Sequence, residues 1–204
     1  VGREKNEDAL VVNTEKDMFA VIDGMGGMGQ GDVAARVLAE ELQKGFREGT
    51  PIEEVQRKAS ERMLGYGIVR GGACYTAIQI HGNELYVFRA GDVRLVLADS
   101  AHGAIRFETQ DEGFSSYVTN AVTGKDPGRT TTAVARLNVS DRIYLASDGL
   151  WKNIASKEAV EKTIGMPAEE ATQELYRMAI EKMKGERPHA PDNITIVVYD
   201  IAKP

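Results

Sequence analysis

Short apolar runs of strand length dominate the chain, and two stretches carry a helical repeat instead. Residues 9–13 and 18–22 read as a strand pair joined by the polar turn Thr14-Glu15-Lys16. A glycine-rich loop follows over residues 24–31. Asp32 then marks a helix start, and Val33, Val37, Leu38, Leu42 and Phe46 recur at helical spacing. Thr50-Pro51 starts a second helix that runs to Leu64, with Pro51 in its first turn and Glu53 as a capping partner.

The middle of the chain is strand-rich. Residues 73–80, 84–89, 93–98 and 105–109 are separate runs, and His81-Gly82-Asn83 is a hairpin-type turn. Residues 131–137 and 142–146 read as a further pair that turns at 138–141. Ser156 caps a short helix over 157–164. Pro167 opens a longer one with Ala171, Leu175, Met178, Ala179 and Met183 on one face, and residues 193–201 form a last strand. Short antiparallel connections prevail, so the order predicts an α+β layered fold rather than a parallel βαβ sheet.

A length of 204 residues suits one domain with a full core, spanning residues 1–204. The chain begins at Val1 and enters a motif almost at once, which predicts a trimmed N-terminus or a domain of something longer. A net charge of −6 without any long basic block argues against a nucleic-acid surface. Cys74 is the one cysteine, so no internal disulfide forms and a reducing, cytoplasmic location is expected. No apolar run reaches the ~18 residues of a membrane span, and no signal peptide is visible.

Four acidic clusters change the picture: Asn6-Glu7-Asp8, Asp23-Gly24-Met25-Gly26-Gly27, Ser147-Asp148-Gly149 and Asp192-Asn193. Singly they read as turns, helix caps or surface charge. Together they border strand-like runs, and strand ends bring distant acids to one sheet rim. Converging carboxylates repel one another unless a cation sits among them. Glycine beside an acid lets a backbone carbonyl such as that of Gly24 approach as a further ligand. His81, His102 and His189 are scattered, so zinc is excluded, and the EF-hand spacing for calcium is absent. A paired magnesium or manganese site remains, of the kind that activates water and clamps a phosphoryl group. Arg3, four residues before Glu7, is a candidate phosphate grip, although by position alone it is a terminal surface arginine.

The ordered set Arg3-x-x-Asn6-Glu7-Asp8-Ala9, Asp23-Gly24-Met25-Gly26-Gly27, Gly91-Asp92-Val93-Arg94, Ser147-Asp148-Gly149-Leu150-Trp151 and Asp192-Asn193-Ile194-Thr195 resembles the metal-dependent serine/threonine protein phosphatases of type 2C, in their compact bacterial form. The resemblance covers nearly the whole chain. It implies a four-layer α-β-β-α sandwich of two antiparallel sheets flanked by helix pairs, with two Mn2+ or Mg2+ ions. It implies that Asp23 bridges both ions, that Asp148 and Asp192 complete one shell, and that Glu7 and the Gly24 carbonyl serve the other with Asp8 behind them. Arg3 would hold the substrate phosphate, and a hydroxide bridging the metals would attack phosphorus in line with the leaving oxygen. The implied substrates are phosphorylated proteins, targets of a serine/threonine kinase. Nothing suggests an obligate partner, so a monomer is expected.

The chain also departs from that pattern. Met25 and Met28 stand where other members carry histidines, which leaves water to protonate the leaving group. Val93 replaces a common serine, and Lys152 follows Trp151 where aspartate is common. The region 111–129, which includes the family's mobile flap, is short. Asp111 fits the place of a third-metal ligand and reads equally as a plain loop acid. Gly24 to Gly29 fits a dinucleotide fingerprint literally, but the acid-ended parallel strand it needs is missing. A cysteine phosphatase needs an arginine six residues after its nucleophile, and from Cys74 that residue is Ile80. A non-catalytic regulatory or binding domain that keeps the fold is the alternative.

Overall fold

The computed structural model describes residues 5–26, 30–114, 117–185 and 192–201, and divides into two compact units. Lys5–Val93 with Asp111–Arg136 make the first. Arg94–Gln110 and the described part of Leu137–Pro204 make the second.

The first unit is an antiparallel sheet covered by two helices. β1 (Asp8–Asn13), β2 (Met18–Met25), β3 (Gly72–His81), β4 (Glu84–Ala90) and β10 (Thr131–Arg136) lie in the order β1-β2-β3-β4-β10. Gly82 at φ 60° makes the tight β3–β4 turn, with His81 opposite Glu84. α1 (Gly31–Glu48) carries Asp32 in its first turn and Arg47 in its last, both favoured by the helix dipole. Gly49 ends it in the left-handed region at φ 68°. Its apolar stripe of Ala34, Ala35, Val37, Leu38 and Leu42 joins Met18, Ala20, Ile22 and Tyr75 in one core. Burying each of the two leucines contributes about 2 kcal/mol. α2 (Ile52–Gly65) meets α1 closely at Gly45, where a Cβ would come within 2.3 Å of Val55 Cγ2.

The N-terminus of α2 differs from the sequence expectation. Pro51 is the N-cap, in extended conformation, and no side chain caps the helix. Its carbonyl accepts from the Glu54 and Val55 amides at 3.0 and 3.1 Å, so the backbone starts the helix without Glu53.

The second unit has the sheet order β12-β11-β5-β6, all antiparallel, built from β5 (Arg94–Asp99), β6 (Ile105–Glu108), β11 (Asp141–Ala146) and β12 (Ile196–Asp200). α3 (Asp148–Trp151), α4 (Ser156–Lys162) and α5 (Ala168–Met183) accompany it. The buried face of α5 is Ala171, Leu175, Met178, Ala179 and Met183, as the periodicity predicts. Buried Arg142 ties the layers: it pairs with Asp200 at 2.5 and 2.8 Å and donates to the Thr163 and Met166 carbonyls.

The expected pairing of residues 131–137 with 142–146 does not occur. β10 pairs with β4, whereas β11 lies between β5 and β12. The reason is burial: every residue of β11 is buried, so it needs a neighbour on both sides, while β10 alternates and sits at an edge. Ser156 is not a cap either. Ala155 is the N-cap of α4, and the Ser156 hydroxyl donates to Glu108 at 2.6 Å. Residues 193–195 stay outside β12 because they are used in a clasp described below.

Candidate metal centre

Strand register brings the first acids together. In the β1–β2 pair Asp8 lies directly opposite Asp23, so both side chains leave the same face of the sheet. Like charges placed so are unfavourable without a compensating cation. Glu7 precedes β1 and is buried. Its carbonyl accepts the Gly24 amide at 3.0 Å. Its carboxylate sits in a cradle of glycines: a Cβ at Gly31 or Gly26 would come within 2.7 or 3.0 Å of Glu7 Oε1. A Cβ at Gly24 would meet the Gly31 and Glu7 carbonyl oxygens at 2.2 and 2.4 Å. Glycine is therefore required here by space, and Glu7, Asp8, Asp23 and Gly24 form one local group.

The second acidic pair is built by a clasp. Ser147, the N-cap of α3, donates its amide to the Thr195 carbonyl at 3.1 Å, and the Thr195 amide donates back to its hydroxyl at 3.0 Å. A Cβ at Gly149 would lie 1.9 Å from the Asn193 carbonyl oxygen, so only glycine permits this approach. Asp148 and Asp192 are thereby held side by side, and Lys152 reaches both. Its ammonium contacts Asp148 Oδ2 and stands 3.9 Å from Asp192 Oδ2. The other oxygen, Asp148 Oδ1, is buried and has no hydrogen-bond partner among the described residues.

Asp111 is exposed, and its charge acts on the buried Arg89 together with those of Glu112 and Asp92. Burial pulls the Arg89 pKa down against these acids. Among the described residues Asp111 joins no group of three potential metal ligands. Arg3 lies outside the described residues. Cys74 faces Asp23 across the β2–β3 ladder. Burial pushes its thiol up, and the nearby Asp92 and Asp23 carboxylates add to this, so the thiolate is disfavoured. Gly91, at φ 105°, makes room for its Sγ.

Sequence reasoning missed Gly149 as a point of close approach and Lys152 as a partner of the acids. It also missed Glu112. This carboxylate accepts from the Gly91 amide at 3.0 Å, from Asn120 Nδ2 at 2.6 Å and from Thr131, and pairs with Arg89 at 3.9 Å. Burial alone would raise its pKa, but these partners lower it overall. Asn120 in turn brackets the Arg129 backbone, donating to its carbonyl at 2.7 Å and accepting its amide at 2.9 Å.

Each group taken by itself offers only hard oxygen donors: a glycine-lined carboxylate and opposed aspartates in the first unit, and a buried partnerless carboxylate oxygen in the second. Among the described residues no three His, Cys, Asp or Glu side chains stand together as a complete metal-holding group.

Comparison with known proteins decides the family. A profile of protein phosphatase 2C matches residues 3–183. The chain belongs to the protein phosphatase 2C family. It is 25% identical over 233 residues to the serine/threonine protein phosphatase PstP of Mycobacterium tuberculosis, a match over 98% of this chain and 43% of PstP. It is 28% identical over 170 residues to probable protein phosphatase 2C 74 of Oryza sativa subsp. japonica, over 66% of this chain and 41% of that protein. The chain thus spans less than half the length of these curated relatives. The crystal structure of the M. tuberculosis phosphatase superposes with a TM-score of 0.83 at 22% identity, covering 100% of this chain and 95% of that one. The PstP catalytic domain in complex with two manganese ions gives 0.82 at 23% identity, over 100% and 94%. These likenesses show the fold: α+β, with two antiparallel sheets and helices.

Proposed function

We propose that this chain is a manganese- or magnesium-dependent serine/threonine protein phosphatase, with residues 1–204 acting as one catalytic domain. The observation that carries this is Asp8 opposite Asp23 in register, with Glu7 seated in its glycine cradle beside them. Family membership and a manganese-bound solved relative support it.

Asp23, Glu7 and the Gly24 carbonyl, together with Asp148 and Asp192, would hold the divalent ions. Asp8, opposite Asp23 in register, would orient the set. When bound, the divalent pair supplies activated water and offsets charge on the phosphoryl group. Arg3 holds the phosphate oxygens of the substrate. With Met25 at the place of the histidine donor found in other members, the leaving serine or threonine oxygen takes its proton from water. The substrates are phosphorylated proteins made by a serine/threonine kinase.

The test is hydrolysis of p-nitrophenyl phosphate, and then of a phosphothreonine peptide, in millimolar manganese with and without chelator. Turnover that requires manganese and stops with chelator is the expected result. No turnover in millimolar manganese overturns the reading in favour of a non-catalytic domain of the same fold.

A further inference from the structure

Among the described residues Lys152 is set apart from the other lysine–acid pairs spaced i,i+4. Lys58–Glu54 and Lys157–Glu161, also spaced i,i+4, join side chains that are all well exposed. Lys152 instead meets acids whose side chains are only 13% and 16% exposed. Its position is dictated by local structure. α3 is a single turn, and the Lys152 amide closes it on the Asp148 carbonyl at 2.8 Å. A side chain four residues on then lies over the first residue of the helix. The Ser147–Thr195 clasp and the Gly149 approach place Asp192 within reach of the same ammonium.

An ammonium is a compact charge on a flexible stem with three donors, and its side chain here is 46% exposed. It can therefore offset two carboxylates and still swing away into water. It contacts only one oxygen of Asp148, and the other remains buried without a hydrogen-bond partner. An incoming divalent ion has twice the charge and uses the same oxygens, so lysine and metal compete for them.

We propose that Lys152 is the resident cation of the Asp148–Asp192 pair: it holds these carboxylates together in the metal-free chain and is displaced when a divalent ion takes them, which weakens metal binding. This rests on the reading of Asp148 and Asp192 as metal ligands. The device sets a threshold, so that the acids load only when manganese or magnesium is abundant.

The experiment compares the full chain with its Lys152→Met and Lys152→Arg variants, by manganese titration calorimetry and by thermal unfolding in chelator. Lys152→Met keeps the apolar stem and removes the charge. It is expected to bind manganese about 3- to 10-fold more tightly, to melt a few degrees lower in chelator, and to gain more stability on adding manganese. Lys152→Arg keeps the charge and should retain both the weaker binding and the metal-free melting point. Equal manganese affinity in parent and Lys152→Met, or weaker affinity in the variant, overturns the resident-cation role while leaving the metal site intact. Absence of manganese binding to both overturns the metal site itself, and with it this proposal.

Discussion

Two groups of acids in this molecule are held in contrasting ways. Around Asp23 the carboxylates are fixed by backbone: strand register sets Asp8 opposite Asp23, and three glycines close round Glu7. Around Asp148 the acids are placed by a clasp of one backbone–backbone bond and one bond to the Ser147 hydroxyl, and share an ammonium from Lys152. In the first arrangement the acids are placed by topology. The second contains a movable counter-charge. The contrast teaches that carboxylates can be brought together either by strand register and glycine space or by a clasp that lets one lysine ammonium reach two of them.

The strongest break in that contrast is Asp23→Asn. Turnover of p-nitrophenyl phosphate should fall by about 100-fold or more, while the melting point in chelator stays equal or rises, because one opposed charge is gone. A large drop in the metal-free melting point would show that Asp23 serves the fold instead.

Next come the glycines that give each group its shape. Gly24→Ala and Gly149→Ala force a Cβ to within 2.2 and 1.9 Å of backbone oxygens, which cannot rotate away. Each should cost about 3 kcal/mol and lower the melting point by roughly 10 °C. A shift under about 2 °C in differential scanning calorimetry would mean that the neighbouring backbone yields and glycine is not required there.

Glu112 offers a third way of holding an acid, beside the buried Arg89 and three hydrogen-bond donors. Its folded pKa is lowered, so the stability it contributes is present above the ordinary carboxylate range and is lost as pH falls through the depressed value. Urea unfolding should show the parent losing this contribution below about pH 4, whereas Glu112→Gln starts lower at neutral pH and is flatter across that window. Equal acid slopes in the two proteins would remove Glu112 as an anchor.

The smallest effect is expected at Lys157. Its pairing with Glu161 spans 3.7 Å between side chains 81% and 54% exposed. Lys157→Ala should move the melting point by no more than about 1 °C. A shift matching that of Lys152→Met would erase the difference claimed for Lys152.

The parts legible in the sequence are those with a repeat. The α5 face and the α1 stripe follow from helical spacing, and the β1–β2 hairpin from its polar turn. The β10–β11 error has a clear cause: Asn138 to Asp141 has hairpin chemistry, but the uniform burial of β11 is a tertiary fact that a six-residue apolar run does not reveal. β7 (Gly113–Phe114), β8 (Tyr117–Val118) and β9 (Val122–Thr123) are two residues each, too short for any period to show. At the site, acid beside glycine was readable as chemistry. That Asp8 faces Asp23 required the register, and Lys152 was visible only as a residue out of pattern until Asp192 was seen beside it.

Trp151, the chain's single tryptophan, adjoins Lys152 in sequence. Its indole donates to the Ala146 and Arg94 carbonyls at 3.1 and 3.3 Å, with the Arg94 guanidinium 5.7 Å from the ring. The protein therefore carries an intrinsic fluorophore in the residue next to Lys152, so an emission change on adding manganese would follow occupancy of this corner without any label.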